Sequence, residues 1–111
     1  MMAYTEYYGT DWADHATARI SAVYSSDEGE TWTCPRVLLR PNDQDANIMS
    51  VSFLRMQNGD LGLFYLKKQM VDGDVVCNPI FHRSTDEGKT FSDGIFVCEK
   101  SSYYCLINDR V

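Results

Sequence analysis

An eight-residue pattern occurs twice in this chain, and no other sequence feature restricts the fold as much. Ser25-Ser26-Asp27-Glu28-Gly29-Glu30-Thr31-Trp32 and Ser84-Thr85-Asp86-Glu87-Gly88-Lys89-Thr90-Phe91 share the form S-x-D-E-G-x-T-[W/F], and their starts lie 59 residues apart. A repeat at such a period indicates stacked copies of one supersecondary unit. The residue types specify a turn. Ser and Asp side chains hydrogen-bond nearby backbone, and Gly adopts positive φ without steric cost. An aromatic that follows can pack inward and fix the turn on the core. Each copy therefore reads as a β-hairpin turn with its own anchor.

The rest of the chain agrees with an all-β fold. Helical periodicity is absent, and short apolar runs alternate with turn signals. Eight strands are expected, over residues 3–8, 18–25, 31–39, 48–56, 61–68, 76–84, 91–98 and 103–111. The clearest hairpin is Asn58-Gly59-Asp60 between two apolar runs. Pro35, Pro41 and Pro79 fall at strand edges or in loops, where a missing N–H does no harm.

The two octets resemble the Asp-box, or BNR repeat, S-x-D-x-G-x-x-W, of the sialidase (neuraminidase) superfamily. The stretch 14–110 is also similar to the general layout of bacterial sialidase-family proteins. The resemblance implies a β-propeller, six-bladed in that family, with four-stranded blades. In such blades the Asp-box joins the third and fourth strands. Lettered A to D outward from the axis, the expected strands then read B-C-D, A-B-C-D, A, which makes residues 1–111 a partial sialidase-like propeller of about two blades. Six blades at this period need roughly 350 residues. The chain is therefore expected to be part of a longer protein, or to complete a propeller as a homo-oligomer, with three copies giving six blades. In the second case each open edge strand finds a partner in the next copy.

Composition narrows the partners. The net charge of −6 argues against nucleic acid and anionic membrane surfaces. No apolar window reaches ~18 residues, the length of a membrane-spanning helix, and no N-terminal segment reads as a signal peptide. The four cysteines, Cys34, Cys77, Cys98 and Cys105, lack C-x-x-C spacing, so no metal site is expected, and no cofactor either. If Ser84 faces Phe91 across its hairpin, Cys77 falls opposite Cys98. That pair is expected as two buried thiols, with a cross-strand disulfide as the alternative.

Strand parity separates fold markers from candidate chemistry. In a meander, alternate turns lie at opposite ends, so both Asp-boxes share an end with the Asn58-Gly59 turn. The structural set is Ser25, Asp27, Gly29 and Trp32 in one box, and Ser84, Asp86, Gly88 and Phe91 in the other. The opposite end is expected to hold the loops 9–17, 40–47, 69–75 and 99–102. They carry Asp11, Asp14, His15, Asn42, Asp43, Asp45, Asn47, Asp72 and Asp74. Asp14-His15 is the leading pair, because an acid beside an imidazole suits proton transfer or sugar hydroxyl binding. His82 lies within a strand and is expected to be a packed histidine.

The family's chemistry, as the resemblance implies it, is glycoside hydrolysis with a tyrosine nucleophile, an arginine triad for the substrate carboxylate and an aspartic acid/base. Carry-over is incomplete, since the R-I-P segment is absent and Glu6 stands where an Asp acid/base is expected. The candidate set is Asp14, His15 and Glu6 for catalysis, with Arg19, Asn47 and Arg110 for substrate. The expected partner is a carbohydrate, a sialoside or related glycan. The sequence thus points to part of a sialidase-like glycoside hydrolase acting on terminal sialic acid or a related glycan. The alternative is a non-catalytic carbohydrate-binding propeller assembled from several copies.

Overall fold

Seven strands, and no helix, build the described part of the chain in the computed structural model, which describes residues 1–11 and 13–106. They form two antiparallel sheets in plain chain order. The first sheet comprises β1 (Met2–Tyr7), β2 (Ala18–Val23) and β3 (Arg36–Leu39). The second comprises β4 (Asp45–Arg55), β5 (Leu61–Val71), β6 (Asp74–Ser84) and β7 (Ile95–Phe96). The three long strands are made by two tight turns. Gly59 supplies φ 91° at the first. At the second, Asp72 and Gly73 both have positive φ (52° and 86°) between the paired residues Val71 and Asp74. Two consecutive left-handed residues match the right-handed twist of the flanking strands, so β5 and β6 run further than residues 61–68 and 76–84.

The sheets pack through β4, which lies against β1 and β2. Ile20, Ile48, Val51, Leu63, Tyr65 and Ile80 form one buried cluster there, with Phe53 and Phe91 packed at its margin. Burying an aliphatic side chain of this size stabilises by about 1.5–3 kcal/mol, so this seam holds the two sheets together. Toward β3 and β7 the sheets no longer touch strand to strand.

Several expectations are corrected by the outer strands. The expected strand 31–39 shortens to Arg36–Leu39, and 91–98 to Ile95–Phe96. Pro35 cannot donate to a ladder, and Gly94 sits so close to His82 and Ile80 that a Cβ there would lie 2.8–2.9 Å from them. Of the expected eighth strand, 103–111, the described residues show a single parallel bridge from Tyr103 to Cys77, and residues 107–111 lie outside the described residues. The β6–β7 register pairs Ile80 with Phe96 and Phe81 with Ile95, one residue away from the expected pairing, and stops there. Cys77 instead exchanges backbone hydrogen bonds with Ser102 and Tyr104. Cys77 and Cys98 are free thiols, Cys77 buried and Cys98 half-buried.

The repeat proves longer than the octet. The N–H of Thr33 donates to the carbonyl of Tyr24, and 59 positions on, that of Ser92 donates to Arg83, each at 2.8 Å. In the reverse direction a hydroxyl replaces the carbonyl: Tyr24 N–H donates to Thr33 Oγ1 (3.1 Å) and Arg83 N–H to Ser92 Oγ (2.9 Å). Both hairpins therefore close with the same backbone-and-hydroxyl clasp. The two aromatics behave differently. Phe91 packs against the core, whereas Trp32 is 46% exposed and lies over its own Gly29, not inward as expected.

Candidate functional site

Each octet is a small cage of hydrogen bonds. Ser25 Oγ donates to Asp27 Oδ1 (2.7 Å) and accepts the Gly29 N–H (2.8 Å), while Asp27 Oδ1 accepts the Thr31 N–H (2.9 Å). Ser84, Asp86, Gly88 and Thr90 repeat these bonds at 2.8, 2.9 and 2.9 Å. Glu28 and Glu87 take matching left-handed φ of 59° and 60°, the strained step that the cage holds in place. Hydrogen bonds from Thr31 hold the Asp27 carboxyl at about 2, and those from Thr90 do the same for Asp86.

This carries a pH dependence. A carboxylate whose folded pKa is depressed contributes stability above its unfolded value and loses it as pH falls toward the folded value. The relevant window runs from the ordinary 3.8 down to about 2. Thermal melts are expected to fall through that window, and Asp86→Asn is expected to flatten its share of the fall while lowering Tm at neutral pH. An unchanged acid limb in Asp86→Asn would contradict the cage.

The second octet shares its end of the fold with the Asn58-Gly59 turn. Arg55 donates to the Gly59 carbonyl (2.8 Å) and forks onto Glu87 (2.7 and 2.8 Å), and Arg83 pairs with Asp60. At the opposite end the loops converge on a second polar network. Asn47, fully buried on β4, donates from Nδ2 to the carbonyls of Asp14 (3.0 Å) and Ala16 (2.9 Å). Lys68, 2% exposed on β5, donates from Nζ to the same Asp14 carbonyl (3.1 Å) and pairs with the Asp14 carboxylate. Its ammonium also lies 5.9 Å from the Tyr103 ring centre. Gln69 donates to Asp45 Oδ1 (2.8 Å), and Asn78 to Ser101 Oγ (2.8 Å). Lys68 holds the Asp14 carboxyl below its ordinary range.

Asp14 therefore bonds to Lys68, and no hydrogen bond joins it to His15, so the expected acid–imidazole pair is not formed. Asp14 and Asn47 are brought together, while His15 is exposed beside them. Glu6 and Arg19 make a separate pair across β1 and β2, with fork bonds of 2.8 and 2.9 Å and Ser21 Oγ donating to the same carboxylate. Arg19 also stacks 4.9 Å from the Tyr8 ring centre. Bonds from Arg19, then Ser21, hold Glu6 at about 2, so it is a carboxylate at neutral pH and not a proton donor. Arg110 lies outside the described residues. His82 is buried, its Nδ1–H donating to the Ser92 carbonyl (2.7 Å) and its Nε2 lying 3.3 Å from the Tyr65 hydroxyl. Burial, then the Asp45 charge, pushes the Tyr65 hydroxyl up to about 12, so that hydroxyl stays protonated.

Sequence reasoning missed Lys68, which anchors the loop network. Its only signal is the doublet Lys67-Lys68 in an otherwise apolar strand. Chemically, Asn47 and Lys68 are engaged in holding the loop from within, and the Asp14 carboxylate, 61% exposed, is the charged group of this network that faces solvent. Among the described residues no group of three His, Cys, Asp or Glu is placed to hold a metal. In comparisons with known proteins, no family model and no curated protein matches this chain.

Proposed function

We propose that this chain forms two blades of a sialidase-like β-propeller whose protein acts as a glycoside hydrolase on terminal sialic acid or a related glycan. One observation carries the reading: the two Asp-box cages, with identical bonding 59 positions apart, each join the last two strands of a meander sheet. The packing of β4, an inner strand in this lettering, against β1 and β2 agrees with neighbouring blades in face contact, and the gathering of loops 9–17, 40–47 and 69–75 with a glycan-facing end. The remaining blades come from further chain or from other copies. Hydrolysis itself rests on the resemblance of the octets to the family.

A second reading has its own support. Glu6 and Asp14 are both ionised and bound to Arg19 and Lys68, an arrangement fitted to holding a glycan without cleaving it. One experiment separates the two. The purified protein is given a fluorogenic α-sialoside and, in parallel, sialyllactose in a binding titration. Release of the fluorophore supports hydrolysis, binding without release supports the second reading, and neither binding nor release would sink both.

A further inference from the structure

A wide groove lies between the outer strands and borders the 40–47 loop. Because β3 has four residues and β7 two, the sheets diverge beyond the β4 seam and leave a groove of about 720 Å³. Small-molecule sites usually measure about 300–1,000 Å³ and combine apolar or aromatic walls with a few polar groups. Phe91 and Phe96 supply aromatic wall here, and Phe96 is 57% exposed.

The charge of the groove opposes that of the chain. Arg36, Arg40, Lys67 and Lys89 line it with one carboxylate, Asp93, in a chain of net charge −6. Two of these cations are engaged. Arg36 donates to Tyr24 Oη (2.9 Å) and the Gly88 carbonyl (3.2 Å), and Lys67 lies 3.8 Å from Asp45 and 5.3 Å from the Phe96 ring centre. The side chains of Arg40 and Lys89 make no hydrogen bond or ion pair among the described residues, although the Arg40 charge is near enough to Glu6 to help hold that carboxyl down. Like charges gathered around a concave space raise the local concentration of anions, and a guanidinium fork matches a carboxylate or sulfate.

We propose that this groove is a binding site for a small oxyanion, with the carboxylate of an acidic sugar as the source that its aromatic walls favour. It borders the loop-end network through Asn42 and the Lys67–Asp45 contact, and does not depend on hydrolysis there. Lys89 and Arg40 supply the charge that no side-chain hydrogen bond or ion pair takes up, and Phe96 the face for the sugar ring.

The test is a backbone amide NMR titration of the folded protein with N-acetylneuraminic acid, its neutral methyl ester, and inorganic sulfate, at millimolar ligand. Residues 36–40 and 89–96 are expected to shift with the acid and not with the ester. Lys89→Glu and Arg40→Glu are each expected to weaken binding by about fivefold, the scale of one exposed ion pair. Both positions are on the surface of the groove, and Lys89→Gln serves as the milder variant if reversal disturbs the spectrum. Shifts with sulfate alone would keep the oxyanion site and assign it to a free anion. Equal binding of the ester, no shifts with any probe, or shifts indifferent to all three variants would overturn the proposal.

Discussion

Ile20→Ala is expected to lower the stability of this protein by about 2–5 kcal/mol, the range for removing a large aliphatic side chain from a close-packed core. Ile20 is fully buried on β2, in the cluster that also holds Ile48 on β4 and Leu63 on β5. The cavity would therefore open between the sheets. Domains of this size are stable by only about 5–15 kcal/mol, so the loss is a large share of the total. Denaturant titration measures it, and hydrogen exchange shows where it falls. Faster exchange in β5 and β6 as well as in β1 and β2 is the expected result, because one seam serves both sheets. Acceleration confined to the first sheet would mean that the sheets unfold separately.

That seam was partly legible in the sequence. The meander, the two box turns and the Asn58-Gly59 hairpin follow from residues with strong local preferences: Asp and Ser that bond their own backbone, and Gly with positive φ. The β5 strand was legible as an apolar run, but its end was not. The strand is expected to stop at Lys68 with Gln69 in a loop, yet Gln69, Met70 and Val71 also pair with β6, and Lys68 is among the most buried side chains. A long amphipathic side chain can bury its stem while its head finds a carbonyl and a carboxylate, and no periodicity marks that.

The outer strands failed for a different reason. Residues 31–34 alternate as a strand does and 91–94 follow the same box aromatic, but Thr33 and Ser92 close their hairpins through hydroxyls, and Gly94 lets its loop approach His82. Side-chain bonds of this kind replace a ladder without changing the hydropathy pattern. The groove is the consequence of that shortening. Sequence could supply its cations one by one, but not their gathering around one space. The same holds at the loop end. Asp14 stands next to His15 in sequence, yet a lysine 54 positions away takes the carboxylate.

Asn47 sets the second large effect, because it ties the 9–17 loop to the second sheet. Its Nδ2 satisfies two carbonyls, and the two strandings differ in cost. Asp14 is in an exposed part of the loop and its carbonyl also accepts from Lys68 Nζ (3.1 Å), whereas Ala16 is buried. Asn47→Ala thus leaves one buried carbonyl unpaired, a cost of about 1–3 kcal/mol. Asn47→Asp is expected to be worse, because a buried carboxylate cannot donate to either carbonyl and its own charge is desolvated. Stability should fall in the order wild type, Ala, Asp, and hydrogen exchange should quicken at Ala16, whose N–H donates to the Ala13 carbonyl at 2.8 Å. If the loop end binds the glycan proposed above, its affinity should fall with it, since Asp14 is then held by Lys68 alone. Unchanged exchange at Ala16 in Asn47→Ala would show that the loop holds its shape without the amide. In that case Lys68, and not Asn47, would be the residue that builds this end of the fold.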